Sequence, residues 1–201
     1  MKNIAIFASG TGSNARKILE YFQGHPLICV KLLVSGNPNA PALEIARSFG
    51  VDTLHVEKGH FAARENLLPL LEGYPIHFIV LAGFMWKIPE YLVQCYEGHI
   101  INIHPALLPK FGGKGMYGMH VHEAVIAAKE TESGITVHWV NEHYDEGATI
   151  FQARCPVFPE DSPAELARRV QVLEHQFYPL VIEQLIENPG ETRIISLKQS
   201  K

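Results

Sequence analysis

NIAIFASGTGSNARKILEYFQ, residues 3–23, joins a short apolar run to a longer amphipathic stretch through a glycine turn. The run 3–9 reads as a buried strand, and 14–23 reads as a helix. Strand, glycine loop and helix together open a βα unit, and the same alternation continues down the chain. Strands are expected at 28–35, 51–56, 77–83 and 99–104, and helices at 41–50, 60–73 and 88–96. HFIVLAG (77–83) is the most apolar of these runs and is expected at the centre of the sheet. The 60–73 helix contains Pro69, so a break or kink is expected there. The fold class is α/β, an open, mostly parallel twisted sheet with helices on both faces.

The texture changes after residue 104. PALLPKFGGKGMYG (105–118) holds four glycines and two prolines, so it cannot stay regular for long. A helix follows at 119–130. GITVHWV (134–140) alternates and reads as a half-exposed strand. ATIFQARCPV (148–157) reads as its antiparallel partner across the acidic turn NEHYDEG. The long helix over 161–185 has a clear start: Asp161 or Ser162 as N-cap, Pro163 near N1 and Glu165 in the first turn. The tail 191–201 is expected to add an edge strand. With no repeat, heptad or linker, a single domain over 1–201 is expected.

Composition narrows the function classes. The 201 residues are 47% hydrophobic and 19% charged, which is globular. Lys+Arg 17 against Asp+Glu 21 gives a formal charge of -4, without the basic footprint of a nucleic-acid binder. No apolar run approaches the roughly 18 residues of a membrane span. Cys29, Cys95 and Cys155 form no C-x-x-C pair, which points to a reducing cytoplasm rather than a disulfide framework. The expected partners are small molecules, with no nucleic acid, no membrane, and a monomer or homodimer as the assembly.

Two constellations carry chemistry. In Gly10-Thr11-Gly12-Ser13-Asn14 the glycines allow successive N–H groups to converge at a helix start, which suits a phosphate monoester. Ala15 breaks the G-x-G-x-x-G pattern and no Lys-Ser or Lys-Thr follows, so dinucleotide binding and triphosphate hydrolysis lack support. The second constellation is Asn102 and His104 in INIHP, two apart on one face of a strand that Pro105 ends. A carboxamide and an imidazole pointing together at the carboxyl end of a strand offer two donors to a developing oxyanion. A mobile glycine loop beside them suits substrate closure. One carboxylate among Glu142, Asp145 and Glu146 is expected to fold back toward His104; residue types alone leave the three open. No H-E-x-x-H or H-x-x-x-H pattern is present and His120/His122 are i,i+2, so no metal is expected.

Several of these segments resemble one family. They are ASGTGSNA (8–15), LAGFMWKIP (81–89), INIHPALLPKFGG (101–113), SGITVHWV (133–140), HYDEGATIFQ (143–152) and RRVQVLEHQFYPLVI (168–182). Together they are similar to the folate-dependent phosphoribosylglycinamide formyltransferases of the formyltransferase superfamily, over roughly residues 3–182. N-I-H-P-x-L-L-P is shared across the superfamily. The G-x-G-S-N loop and the Q-x-x-E-H stretch of the last helix single out this branch.

The resemblance implies a Rossmann-like formyltransferase fold and direct formyl transfer from the co-substrate 10-formyltetrahydrofolate to a glycinamide amine, without a metal. It implies Asn102, His104 and Asp145 as catalytic residues. Gly12, Ser13 and Asn14 would hold the substrate phosphate and Glu174 the ribose. Leu81, Met85, Trp86, Lys87 and Ile88 would line the folate site. Thr136 and His138 would stand behind the catalytic group. His104 is expected to be protonated as the oxyanion forms.

The chain departs from the family in two places. Trp86 stands where many members have Arg, and the 110–118 loop is longer. Two other formyl-folate enzymes share the catalytic trio: a hydrolase with an extra N-terminal domain, and a tRNA formyltransferase with an extra C-terminal domain and a basic surface. A chain opening directly on its first strand with an acidic total is expected to be neither. A non-enzymatic phosphate-binding domain would explain Gly10–Asn14 but not the placement of Asn102 and His104.

Overall fold

The computed structural model describes residues 1–188. Its elements in chain order are β1 (Lys2–Phe7), α1 (Ser13–Phe22), β2 (Ile28–Ser35), α2 (Pro41–Ser48), β3 (Asp52–His55), α3 (Lys58–Ala62), α4 (Arg64–Glu72), β4 (Phe78–Leu81), α5 (Glu90–Cys95), β5 (Ile100–His104), α6 (Met119–Ala127), β6 (Glu132–Trp139), β7 (Thr149–Pro156) and α7 (Pro163–Glu187). The chain divides into two compact units. The first is Met1–Asn102 with Val140–Glu142, and the second is Ile103–Trp139 with the chain from His143 onward.

In the first unit the strand order is β3-β2-β1-β4-β5, with all pairs parallel. Parallel strands covered on both faces need continuous apolar runs. β4 meets that need with four buried residues in a row, flanked by β1 and β5. Phe7, Leu32, Val34, Ile79 and Leu81 form the heart of its core. Helix α1 turns Ala15, Ile18, Leu19 and Phe22 inward.

The expected helix over 60–73 is two helices, and the break is not at Pro69. α3 and α4 meet at Ala63, which is extended at φ -98 and ψ 118. Pro69 lies inside α4. Leu67 and Leu71, both fully buried on either side of the proline, anchor α4 to the core and hold the helix through it.

In the second unit the last two residues of β5 begin the order β5-β6-β7, and β6 and β7 pair antiparallel. β6 was expected to be half exposed, yet Ser133–His138 are all buried. It is an interior strand, α7 packs on β6 and β7, and the Thr136 side chain is taken up by the 106–108 segment. α7 starts at an N-cap Ser162 whose hydroxyl accepts the Glu165 N–H, while the Glu165 carboxylate accepts the Ser162 N–H. This reciprocal capping box satisfies two otherwise orphaned donors and selects Ser162 over Asp161. The tail strand expected over 191–201 lies outside the described residues. Among the described residues no helix is long and apolar enough to cross a membrane. Cys29, Cys95 and Cys155 are free thiols.

Candidate active site

His104 ends β5, two residues after Asn102 and on the same side of the strand. Asn102 is half-buried and lies opposite Leu81 in the β4 register. His104 is 4% exposed. Its Nε2 lies 2.7 Å from the Phe111 carbonyl. A carbonyl only accepts, so Nε2 carries a proton and donates it there. Nδ1 lies 3.6 Å from Asp145 Oδ2. Burial pushes the imidazole below its ordinary range. The Asp145 carboxylate and the Phe111 bond pull the other way without overcoming it, and His138 adds to the lowering. At neutral pH the resting imidazole is therefore neutral. The imidazolium expected from the sequence must form along the reaction path.

Of the three acids in the turn after β6, Glu142 and Glu146 are exposed and Asp145 is sheltered, its side chain 12% exposed. Asp145 adopts φ 58, a left-handed conformation that Asp tolerates better than most residues. Its Oδ2 accepts the Gly113 N–H at 2.9 Å, and its Oδ1 lies 3.5 Å from His138 Nε2. Burial alone would raise its pKa. Contacts with His138, His104 and the Gly113 N–H outweigh burial and hold the carboxyl below its usual range. An ionised carboxylate thus faces a neutral imidazole, an arrangement ready to stabilise a proton arriving on the ring. The loop reaches this pair because Gly112 has no side chain: a Cβ there would stand 3.2 Å from Asp145 Cβ and would overlap Leu108.

Behind the pair lies a buried polar knot. Thr136, fully buried in β6, donates its hydroxyl to the Ala106 carbonyl at 2.7 Å and accepts the Leu108 N–H at 3.0 Å. Gln152 of β7 donates to the Leu108 carbonyl at 3.0 Å and to Thr136 Oγ1 at 2.9 Å. His138 Nδ1 donates to the Trp139 carbonyl at 2.9 Å, which turns Nε2 toward Asp145.

The sequence reading missed Gln152, the Phe111 carbonyl and the Gly113 N–H. It also missed His122, buried on α6 while His120 is exposed. Burial, and then the nearby His104, push His122 below its ordinary range. Only Gln152 left a trace in the sequence, as a polar residue inside an apolar strand.

The glycine loop lies in the first unit. Gly12 takes φ 77 as N-cap of α1. A Cβ there would stand 2.7 Å from Ala42 Cα, so both backbone and packing require glycine. Ser13 and Asn14, both half-buried, begin α1. In the segment expected to line a folate site, Leu81 and Ile88 are buried in the core. The Trp86 ring packs on Phe61 and Phe84 and lies over Gly36. Met85 and Lys87 are exposed, and the Met85 N–H donates to Ser9 Oγ at 3.2 Å. Met85 and Lys87 are therefore the two side chains this segment presents outward. Glu174 is half-buried on α7, one turn before the fully buried Tyr178.

Comparison with known proteins follows the same outline. The family model described as formyl transferase matches residues 2–182. The chain is 42% identical over 192 residues to the chloroplastic phosphoribosylglycinamide formyltransferase of Arabidopsis thaliana. That match covers 92% of this chain and 66% of the plant protein, so the chain spans just under two thirds of that relative's length. It is 36% identical to the phosphoribosylglycinamide formyltransferase of Escherichia coli (strain K12), covering 90% of this chain and 85% of that one. The crystal structure of phosphoribosylglycinamide formyltransferase from Anaplasma phagocytophilum is similar with a TM-score of 0.85 at 32% identity, covering 93% and 87% of the two chains.

Proposed function

This chain belongs to the formyl transferase family, in its phosphoribosylglycinamide formyltransferase branch, and we propose that it moves a formyl group from 10-formyltetrahydrofolate to the glycinamide amine of 5'-phosphoribosylglycinamide. The observation that carries this reading is the 3.6 Å approach of Asp145 Oδ2 to His104 Nδ1 at the end of β5, the strand that also carries Asn102.

The amine attacks the formyl carbon, and the carbonyl oxygen becomes an oxyanion. Asn102 donates to that oxygen. The proton lost by the amine passes to His104, and Asp145 stabilises the imidazolium that results. The imidazolium also donates to the oxyanion, which requires its Nε2–H to exchange the Phe111 carbonyl for substrate. When the carbon–nitrogen bond to the folate breaks, the proton goes to the departing nitrogen. Products are the N-formyl amide and tetrahydrofolate, with atoms and charge balanced and His104 neutral again.

Other residues serve binding in this scheme. Gly12, Ser13 and Asn14 take the phosphate at the N-terminus of α1, where the helix dipole favours an anion. Met85 and Lys87 meet the folate with their side chains, and Leu81, Trp86 and Ile88 hold the backbone they stand on. Glu174 takes the ribose hydroxyls. The surroundings that suit this chemistry are a reducing cytoplasm, given three free thiols.

The test is turnover of purified protein on 10-formyltetrahydrofolate with and without the phosphoribosyl amine. Transfer only with the amine supports the reading, and equal formyl release without it would make the chain a hydrolase. Asn102→Ala should lower turnover by roughly two to three decades, about 3–4 kcal/mol of transition-state stabilisation, with smaller changes in substrate affinity. A variant within a few-fold of the parent would remove Asn102 from the oxyanion site.

A further inference from the structure

Thr136 and Gln152 are direct partners in the β6–β7 register. The Thr136 hydroxyl and the Gln152 amide donors converge on one segment. A threonine hydroxyl has one proton and two lone pairs. The proton goes to Ala106, and the lone pairs take the Leu108 N–H and a Gln152 amide hydrogen. The second Gln152 amide hydrogen goes to the Leu108 carbonyl. Two side chains from paired strands therefore hold three backbone groups of residues 106–108, all downstream of His104 in the chain.

We propose that Gln152 is a positioning residue for the reaction proposed above: together with Thr136 it clamps Ala106–Leu108 and so sets the Phe111 carbonyl and the Gly113 N–H at the His104–Asp145 pair. The inference rests on that proposed reaction. The connection is short. Phe111 follows Leu108 by three residues, and Pro109 between them fixes one backbone angle. Phe111 takes φ 57, a conformation a bulky residue holds only when its surroundings impose it. The clamp supplies that restraint from the Leu108 side, and the His104 Nε2–H and Asp145 Oδ2 supply it from the other. Packing alone is a poor substitute. Removing either clamp side chain strands backbone groups in a sheltered place, and they would then turn to find water. That motion would carry Phe111 off the imidazole and leave His104 free to turn away from Asp145.

Gln152→Met keeps the length and removes both donors. It should lower the turnover number about tenfold or more, with Michaelis constants for both substrates within about twofold. The His104 titration, followed by NMR, should move down, because the Phe111 bond favours the charged ring. Thr136→Val should give the same pattern, and Thr136→Ser, which keeps the hydroxyl, should restore most of the loss. If Gln152→Met does not fold, the Thr136→Val and Thr136→Ser pair decides in its place by the same readouts. A turnover number near parental, or losses that follow the melting temperature with an unmoved His104 titration, would overturn the proposal. If the parent protein itself shows no transfer, the proposed reaction fails and the titration alone decides the clamp: a lowered midpoint supports it and an unmoved one overturns it.

Discussion

Their surroundings hold His104 and Asp145 each below its ordinary proton affinity, with the two side chains 3.6 Å from each other. Such a pair acts as a unit, so its members' losses should not add. Asp145→Asn keeps the shape and removes the charge. It should cut turnover strongly and lower the His104 titration further, since the imidazolium loses its partner. Combined with His104→Ala it should cost little beyond the His104 change alone. Glu142→Gln and Glu146→Gln, at exposed positions, should stay within about ±0.5 kcal/mol in stability and near parental in rate. A double-mutant cycle of turnover across pH, with the histidine followed by NMR, measures all of this. Additive losses together with a stationary histidine would reject the coupling. Residue types on their own left three acids open at this turn, because a charge run looks the same whichever member folds inward.

Between β4 and α5 the chain divides its side chains by role. Trp86 points into the first unit's core over Gly36, and Lys87 points out. Gly36→Ala would put a methyl into the indole. It should cost about 1–3 kcal/mol as overpacking and shift tryptophan emission. Unchanged urea midpoint and emission would mean the ring does not pack there. Lys87→Ala should instead raise the Michaelis constant for the folate, leave the turnover number alone, and lose its effect at high salt. A salt-insensitive change confined to turnover would contradict a role in binding. The glycine loop shows the same division. Gly12 is required by its positive φ and by Ala42, so a substitution there tests folding as much as ligand binding. Ser13 is the cleaner probe of a phosphate site, because it lies in α1 and has no positive φ to strain.

At the scale of the whole molecule, pH links the site to stability through two buried histidines. His104 and His122 both sit below the ordinary 6.5 in the fold. Between the folded and unfolded values the unfolded chain binds more protons, so stability rises with pH there. The contribution is complete above 6.5 and is lost as acid carries the pH down through the folded values. Asp145, held below 3.8, adds a loss only at much lower pH. The urea midpoint should therefore begin to fall just below pH 6.5, and His122→Gln should flatten that fall. Parallel curves for parent and variant would exclude His122 as a source. The sequence by itself determined the elements other than the α3–α4 break, the parallel first half and antiparallel pair, the glycine loop at a helix start, and Asn102 with His104 on one strand face. All of these follow from periodicity and turn chemistry within about ten residues. Tertiary structure alone decided that Leu67 and Leu71 hold α4 through Pro69, that Trp86 turns inward, and that Thr136 and Gln152 close on residues 106–108; it also folds Asp145 toward His104, a choice that residue types left open and only the family resemblance had made. Those outcomes depend on groups far apart in the chain: 16 residues separate Thr136 from Gln152, and 44 separate Gln152 from Leu108. Strand register and burial bring them together, and no local pattern encodes a distance of that kind.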